Sequence, residues 1–316
     1  MTEEPKRVLV TGGAGFIGSH LVDRLVGSGF CVRVLDNLST GRTANIQGHL
    51  ENGKVDFVRG DIRDAKLVNE CVEDVDFVAH LAAVASVPFS IEQPDLTFET
   101  NVGGTINLLV SSAKAKVAKF VLGSTCAVYG EPRYLPINER HPTNPISPYA
   151  ESKLVAERFT LGFCQKQLLE CIVLRLFNVY GPRQCINDYS GVITQFIECA
   201  KRGSPLTIYG DGYQTRDFIS VRDVVDAILK CRENKVAVGE VLNVGSGEPT
   251  SINDLAKTVL ELTRSESTVH FDEPRKGDIK DSYADVSKAE ALLGFTSQLS
   301  LRDGLRIMLE ESSVAR

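Results

Sequence analysis

Tyr149 and Lys153 stand one helical turn apart in Ser147-Pro148-Tyr149-Ala150-Glu151-Ser152-Lys153. A phenol and an ammonium four residues apart share one face of a helix and can act together. Free tyrosine titrates near ~10, and lowering that by about three units takes roughly 4 kcal/mol of differential stabilisation, which one adjacent cation plus a second positive charge can supply. Tyr149 is therefore a candidate general base, with Lys153 as its cation. The spacing alone says little, because exposed helices carry Tyr and Lys for no chemical reason. A glycine-rich stretch upstream gives it weight: Thr11-Gly12-Gly13-Ala14-Gly15-Phe16-Ile17-Gly18.

The elements around that stretch decide what it does. Arg7-Val8-Leu9-Val10-Thr11 is a β-branched and apolar run ending at Gly12, and residues 16–26 are amphipathic, which predicts strand, tight turn and helix. There Gly12 permits the turn, Gly15 lets backbone approach a pyrophosphate, Gly18 allows close helix–strand packing, and the helix N-terminus offers free N–H groups. A second strand, Cys31-Val32-Arg33-Val34-Leu35, ends at Asp36, eighteen residues past Gly18. An acid at that place accepts both hydroxyls of an adenosine ribose and repels a 2′-phosphate, so the cofactor read from it is NAD and not NADP. Asp61 and Ile62, after a third strand at Val55–Arg59, are where the adenine edge is expected; an exposed turn aspartate is the alternative for Asp61.

A chain of 316 residues can bury a large core and suits one nucleotide-binding domain plus a smaller substrate domain. No internal repeat is present. The ends carry no secretory apolar region and the longest apolar runs fall short of a membrane span, so a soluble, cytoplasmic protein without a membrane partner is expected. Eight cysteines, at 31, 71, 126, 164, 171, 185, 199 and 231, form no CxxC pair and read as free thiols, with neither a metal site nor a disulfide frame. A net charge of −6 gives no basic footprint for nucleic acid.

Farther along, the pattern predicts a helix over 65–72, a strand over 76–81, a long helix over about 95–115, a strand over 119–123, a helix over 149–165 and a strand over 171–176. Strands separated by helices of this length imply an α/β fold: a doubly wound parallel (Rossmann) sheet covered on both faces. Its ligands bind beyond the carboxyl ends of the strands. From Pro182 the pattern loosens into a smaller mixed α/β unit, with short strands at 206–209 and 218–220, helices near 221–231, 252–262, 288–293 and 301–309, and a strand at 240–244. The expected division is 1–176 for NAD and 177–316 for substrate, with the 240–244 strand a candidate to return to the main sheet.

Taken together, TGGAGFIGSH, DNLSTG, GDIRD, HLAA, NVGGT, STCAVYG, SPYAESK, LRLFNVYGPR, GDGYQTRDFISVRDV, NVGSGE and PRKGDIKDSYADVSKAEALLGF resemble, in this order and over nearly the whole chain, the extended short-chain dehydrogenase/reductase superfamily, in particular its nucleotide-sugar epimerases of the UDP-glucose 4-epimerase type. The resemblance implies NAD held by Gly12, Gly15, Phe16, Ile17, Gly18, Asp36, Asn37, Asp61, Ile62, Leu81, Ala82, Ala83, Asn101, Tyr149 and Lys153. It implies a catalytic set of Thr125, Tyr149 and Lys153, in which Tyr149 takes the sugar O4 proton, Thr125 bridges the same oxygen, Lys153 holds the nicotinamide ribose, and C4 gives and regains a hydride through NAD. Where related dehydratases continue with Asp-Glu after the Thr, this chain has Cys126-Ala127, and related UDP-glucuronate decarboxylases keep a glutamate where Ala127 stands.

The resemblance also supplies the substrate side. Planar guanidinium forks suit a diphosphate, and Arg216 and Arg275 match the family's two phosphate-binding arginines. Asn178 matches its diphosphate-contacting asparagine, Asp278 an acid on the nucleoside ribose, and Val192 a backbone contact near the phosphates. Tyr209 joins the same substrate set. Ser86 and Ser124 match positions near sugar or phosphate, with a local cap or turn as the alternative for Ser86 and Asn101. Ser282 stands where strict UDP-glucose enzymes often have tyrosine, and this smaller residue leaves space at C2 for an N-acetyl group.

The function expected is 4-epimerisation of a UDP-hexose, UDP-glucose and UDP-galactose first and the N-acetylhexosamines second. UDP-glucuronate epimerases commonly carry threonine in place of Asn178 and an arginine near Cys185. The other readings are a different NAD-dependent nucleotide-sugar enzyme, such as a UDP-glucuronate epimerase or decarboxylase, and a non-catalytic NAD-binding regulator, which in related chains has usually lost the tyrosine or the lysine. A homodimer is expected through the 95–115 and Tyr149 helices, with Phe98, Leu109, Leu154, Phe159 and Leu161 available for an outward face and the core claiming some of them.

Overall fold

The computed structural model describes residues 7–184, 191–274, 277 and 279–314. Its strands are β1 Arg7–Thr11, β2 Cys31–Asp36, β3 Val55–Arg59, β4 Phe77–His80, β5 Lys119–Thr125, β6 Cys171–Leu176, β7 Asn178–Tyr180, β8 Leu206–Tyr209, β9 Thr215–Ser220, β10 Val241–Val244, β11 Pro249–Ser251, β12 Val269–Asp272 and β13 Asp281–Ser282. Seven of them form one sheet in the order β10-β6-β5-β4-β1-β2-β3, each neighbouring pair parallel. Parallel strands need helical crossovers that cover both faces, which is why β1 is apolar at successive positions. Val8 and Val10 pack with Leu21, Leu25, Val224 and Ile228 on one face, while Leu9 packs with Leu108, Leu109 and Ala156 on the other.

Strand order reverses between β1 and β4, since the chain steps outward from β1 through β2 to β3 on one side and from β4 through β5 to β6 on the other. A crevice opens beyond the carboxyl ends of the strands at such a point. Gly12 and Leu81 flank it, tied by Leu81 N–H donating to Thr11 O at 3.2 Å. The last strand, β10, returns to this sheet with Val241 opposite Val173, so the sheet draws on sequence beyond residue 176. In the second region β9 lies between β11 and β13, β7 pairs with β9, and β8 pairs with β12. Phe196, Leu206, Ile208, Leu255 and Leu305 fill its core.

Two local differences from the sequence reading have clear causes. The long helix over 95–115 is broken into Pro94–Phe98, a wide-turned π segment Glu99–Gly104, and Thr105–Lys114. The π turn carries Asn101 and brings Gly104 against Ile62, whose side chain occupies the space of any Cβ there. The sequence reading places no element at 192–202, yet a helix Val192–Arg202 forms there, with Ile193, Phe196, Ile197 and Ala200 buried on one face and Gly203, at φ +67°, ending it. Of the residues offered for an outward face, Leu109 and Leu154 are buried and Leu161 packs against the core. Phe98 is half-buried, and Phe159 is 44 % exposed.

Among the described residues no helix is long and apolar enough to cross a membrane, and no group of His, Cys, Asp and Glu is placed to hold a metal ion. The described cysteines are free thiols.

Candidate active site

The glycine loop is built for close backbone approach. Gly12 has φ +70°, and a Cβ there would stand 2.9 Å from Ala82 N. Its N–H donates to Leu35 O, and Gly15 N–H donates back to Gly12 O at 3.1 Å, closing the turn. At Gly18 a Cβ would run into Gly12 O. Helix Phe16–Gly27 then starts at Gly15 with no side-chain cap, which leaves its first-turn N–H groups available to an anion. Phe16 and Ile17, half-buried, form that first turn.

Asp36 does more than the sequence suggested. Its carboxylate accepts from Ala14 N–H at 3.0 Å and from Leu38 N–H at 2.8 Å, so it ties the glycine loop to the segment after β2 while keeping lone pairs for a ribose. Asn37 donates to Asp61 at 3.0 Å. Asp61 also takes Arg63 Nε and Nη2, each at 3.0 Å, and the Arg63 hydrogen bonds pull its carboxyl down to about 2. The adenine edge expected at Asp61 is thus a fixed ion pair beside buried Ile62.

A directional chain of hydrogen bonds ties this half of the crevice to the other. Leu81 and Ala82 N–H donate to Thr11 Oγ1, which donates to His80 Nδ1 at 2.7 Å. His80 Nε2 donates to Thr105 Oγ1 at 2.8 Å, and that hydroxyl donates to Asn101 O. Burial holds His80 well below the usual imidazole range, hence neutral. Asn101, 1 % exposed, brackets Val84 through both its N–H and its carbonyl and donates to Ser152 Oγ at 2.9 Å. It therefore fixes the backbone just past Ala83 and one turn of the Tyr149 helix together.

Helix Pro148–Gln165 begins with Ser147 as N-cap and proline at its first position. Tyr149 N–H donates to Ser90 Oγ at 3.1 Å, a contact with no signal in the sequence. Lys153 is 3 % exposed. The Thr125 hydroxyl lies close enough to the Tyr149 phenol to favour its ionised form, and it caps the turn Cys126–Tyr129 by accepting from Ala127 N–H at 3.2 Å. Burial pushes Tyr149 up to about 12 against the pull of Thr125 and Lys153 down to about 8 against the pull of Glu157. Desolvation thus dominates at the phenol, and a near-neutral Tyr149 needs the second positive charge that the sequence reading calls for beside Lys153. The Cys126 thiol is pushed up to about 12 by burial and stays neutral.

Two expected sugar contacts have internal partners. Ser86 caps the short helix Val87–Glu92, accepting from Phe89 N–H at 3.2 Å. Ser124, 4 % exposed, donates to Glu157 Oε1 at 2.5 Å. Successive strand residues face opposite sides, so with Thr125 turned to Tyr149, Ser124 points into the fold.

On the other wall, Arg216 lies in β9 opposite Ser282 of β13, and its Nη1 donates to Thr215 O at 2.8 Å. Ser282 is 8 % exposed. Asn178, at the start of β7, donates to Asp217 O at 3.2 Å. Asp217, fully buried, accepts from Ser246 N–H and Oγ, Gly247 N–H and Ala284 N–H, pinning β9 to two turns; no sequence signal marked it. Val192 opens its helix after Gly191 with no side-chain cap, leaving its N–H free of one. Tyr209 lines an open cavity of about 780 Å³ with Gln214, His270, Pro274 and Lys280. Arg275, Asp278 and Cys185 lie outside the described residues.

These residues fit NAD: a glycine cradle that any Cβ would fill, an acid at the end of β2, and the buried ammonium of Lys153.

Comparison with known proteins agrees. The family model described as "NAD dependent epimerase/dehydratase family" matches residues 8–245. The UDP-glucose 4-epimerase of Mycolicibacterium smegmatis is 38% identical over 306 residues, covering 96% of this chain and 97% of that one. UDP-glucuronic acid decarboxylase 2 of Arabidopsis thaliana is 40% identical over 310 residues, covering 96% and 68%. Among solved structures, the UDP-glucose 4-epimerase of Thermotoga maritima with UDP-glucose superposes with a TM-score of 0.93 at 38% identity, covering 98% and 99%. With the glycine loop at the sheet's switch point and Thr125, Tyr149 and Lys153 gathered beside it, the chain belongs to the NAD-dependent epimerase/dehydratase family, as an epimerase-type isomerase with NAD as its cofactor.

Proposed function

We propose that the protein interconverts UDP-glucose and UDP-galactose by inverting C4, with room for the N-acetylhexosamines. The observation that carries this reading is the Thr125–Tyr149–Lys153 group with only a neutral thiol and a methyl group following Thr125. Bound NAD supplies a reversible two-electron acceptor. Tyr149 takes and returns the O4 proton, Thr125 holds that oxygen and orients the phenol, and Lys153 binds the nicotinamide ribose and lends its charge. Arg216, Arg275, Asn178, Asp278 and the Val192 N–H hold the UDP portion, and Asp36 and the glycine loop hold the adenosine end of NAD.

The decarboxylase reading has the Arabidopsis relative in its favour, and Ala127 against it, because the resemblance to UDP-glucuronate decarboxylases implies a glutamate at that position. Incubating purified protein with UDP-glucose, UDP-galactose, their N-acetylated counterparts and UDP-glucuronate, and resolving products by NMR, separates the two. C4 epimers of the neutral sugars are expected; UDP-xylose with loss of carbon dioxide would replace this reading with the other.

Ser282→Tyr should suppress turnover of the N-acetylated sugars far more than that of UDP-galactose, by filling the space opposite Arg216. Equal losses on both would move the gate elsewhere.

We also infer a homodimer in which the 148–165 helix and the broken 94–114 segment pair with their symmetry mates, with Phe159 as the exposed apolar residue at hand. Sedimentation at micromolar concentration should show a dimer; a fully active monomer would remove this assignment.

A further inference from the structure

Glu157 follows Lys153 by one turn on the same helix, as Lys153 follows Tyr149. Its carboxylate is 1 % exposed and faces Arg175 of β6, which is 6 % exposed. Arg175 Nε donates to Oε1 at 3.0 Å and Nη2 to Oε2 at 2.7 Å, a two-pronged pair inside the fold. The guanidinium also lies 4.7 Å over the Tyr129 ring, whose hydroxyl donates to Asn243 Oδ1 at 2.6 Å. The same Oε1 also accepts the Ser124 hydroxyl, so one carboxylate joins the helix of Tyr149 and Lys153 to the strand end that presents Thr125.

A buried ion pair gains little over apolar residues of the same volume, because desolvating two charges offsets their attraction. Stability therefore gives no reason to keep it beside the reacting groups. We propose that Glu157 is a positioning residue: clamped by Arg175, its carboxylate keeps the Lys153 ammonium charged and, through Ser124, fixes the strand end that carries Thr125. This rests on the role given to Lys153 under Proposed function.

The surroundings of Lys153 leave Glu157 as the counter-charge. His80 from β4 and Cys126 from the turn after β5 are held neutral by burial, as is the phenol of Tyr149. Arg175 from β6 is a second cation beyond the carboxylate. Glu92, Asp95 and Glu99, on the short segments packed alongside, are exposed. Burial pushes Lys153 down to about 8, and Glu157 is the group holding it up. Removing that negative charge must lower it further.

The test follows the titration of Lys153 itself by the ¹³Cε lysine NMR signal that disappears in Lys153→Met, in the full-length protein with and without saturating NAD. In Glu157→Gln the midpoint should fall by about one pH unit, with kcat at alkaline pH down about tenfold and the KM for UDP-sugar little changed. Because this variant strands a buried guanidinium, Glu157→Gln/Arg175→Met is measured beside it. That pair should regain thermal stability while keeping a smaller downward shift. An unchanged midpoint in both variants would overturn the proposal. If the wild-type protein epimerises none of the sugars, the functional reading fails, and the NMR midpoint still decides the role of Glu157.

Discussion

Tyr149→Phe should leave the fold and NAD affinity intact and lower C4 epimerisation by about 10²–10⁴-fold, the range for loss of a positioned acid–base group. The ring stays in place, its backbone N–H still donates to Ser90, and only the proton carrier is lost. Because the phenol is raised to about 12 by burial, the wild-type rate should also depend on bound positive charge: turnover should climb with pH until Lys153 begins to lose its proton, so that a rising limb meets a falling one. Parallel thermal melts and NAD titrations check that the variant is otherwise whole. Turnover near normal in Tyr149→Phe would remove Tyr149 from the mechanism.

Asp36→Ala is the second large effect. The carboxylate takes the N–H groups of Ala14 and Leu38, so its loss frees a buried donor in the glycine loop and a half-buried one after β2, as well as the expected ribose acceptor. Hydrogen bonds to a charged acceptor contribute about 1.5–3 kcal/mol each. Losing both ribose bonds together with the ordered loop should weaken NAD binding by about 100-fold or more. The variant should also discriminate less against NADP, since the charge that repels a 2′-phosphate is gone. Calorimetric titration with both dinucleotides reads this directly; an unchanged NAD affinity would mean that Asp36 serves only the loop.

The parts legible in the sequence are those where backbone geometry demands particular residue types at fixed spacing. Gly12 must reach positive φ, Gly18 must let the helix touch the turn, and Asp36 must end β2; each requirement leaves a visible letter. Tyr149 and Lys153 were legible for the same reason, because one helical turn sets their spacing. Contacts made across the fold left weaker traces. Asn101 is held between Val84 and Ser152 by a π turn that no local propensity announces. Which way Ser124 points depends on the pleat of β5, and it is Glu157 that receives it. The Glu157–Arg175 pair did have a signal, a lone arginine inside the apolar run Cys171–Leu176 and an acid one turn past Lys153. Neither could be matched to the other without the sheet order. Asp217 looks like an ordinary neighbour of Arg216 until four donors are seen converging on it.

The most direct measurement follows the hydrogen at C4. UDP-glucose deuterated at C4, incubated with the protein and NAD in ordinary water, should yield UDP-galactose that retains deuterium at C4, with no stoichiometric release of NADH, because the same hydrogen leaves and returns within one closed site while Tyr149 handles only the O4 proton. Loss of the label to solvent, or NADH accumulating in step with product, would contradict the account.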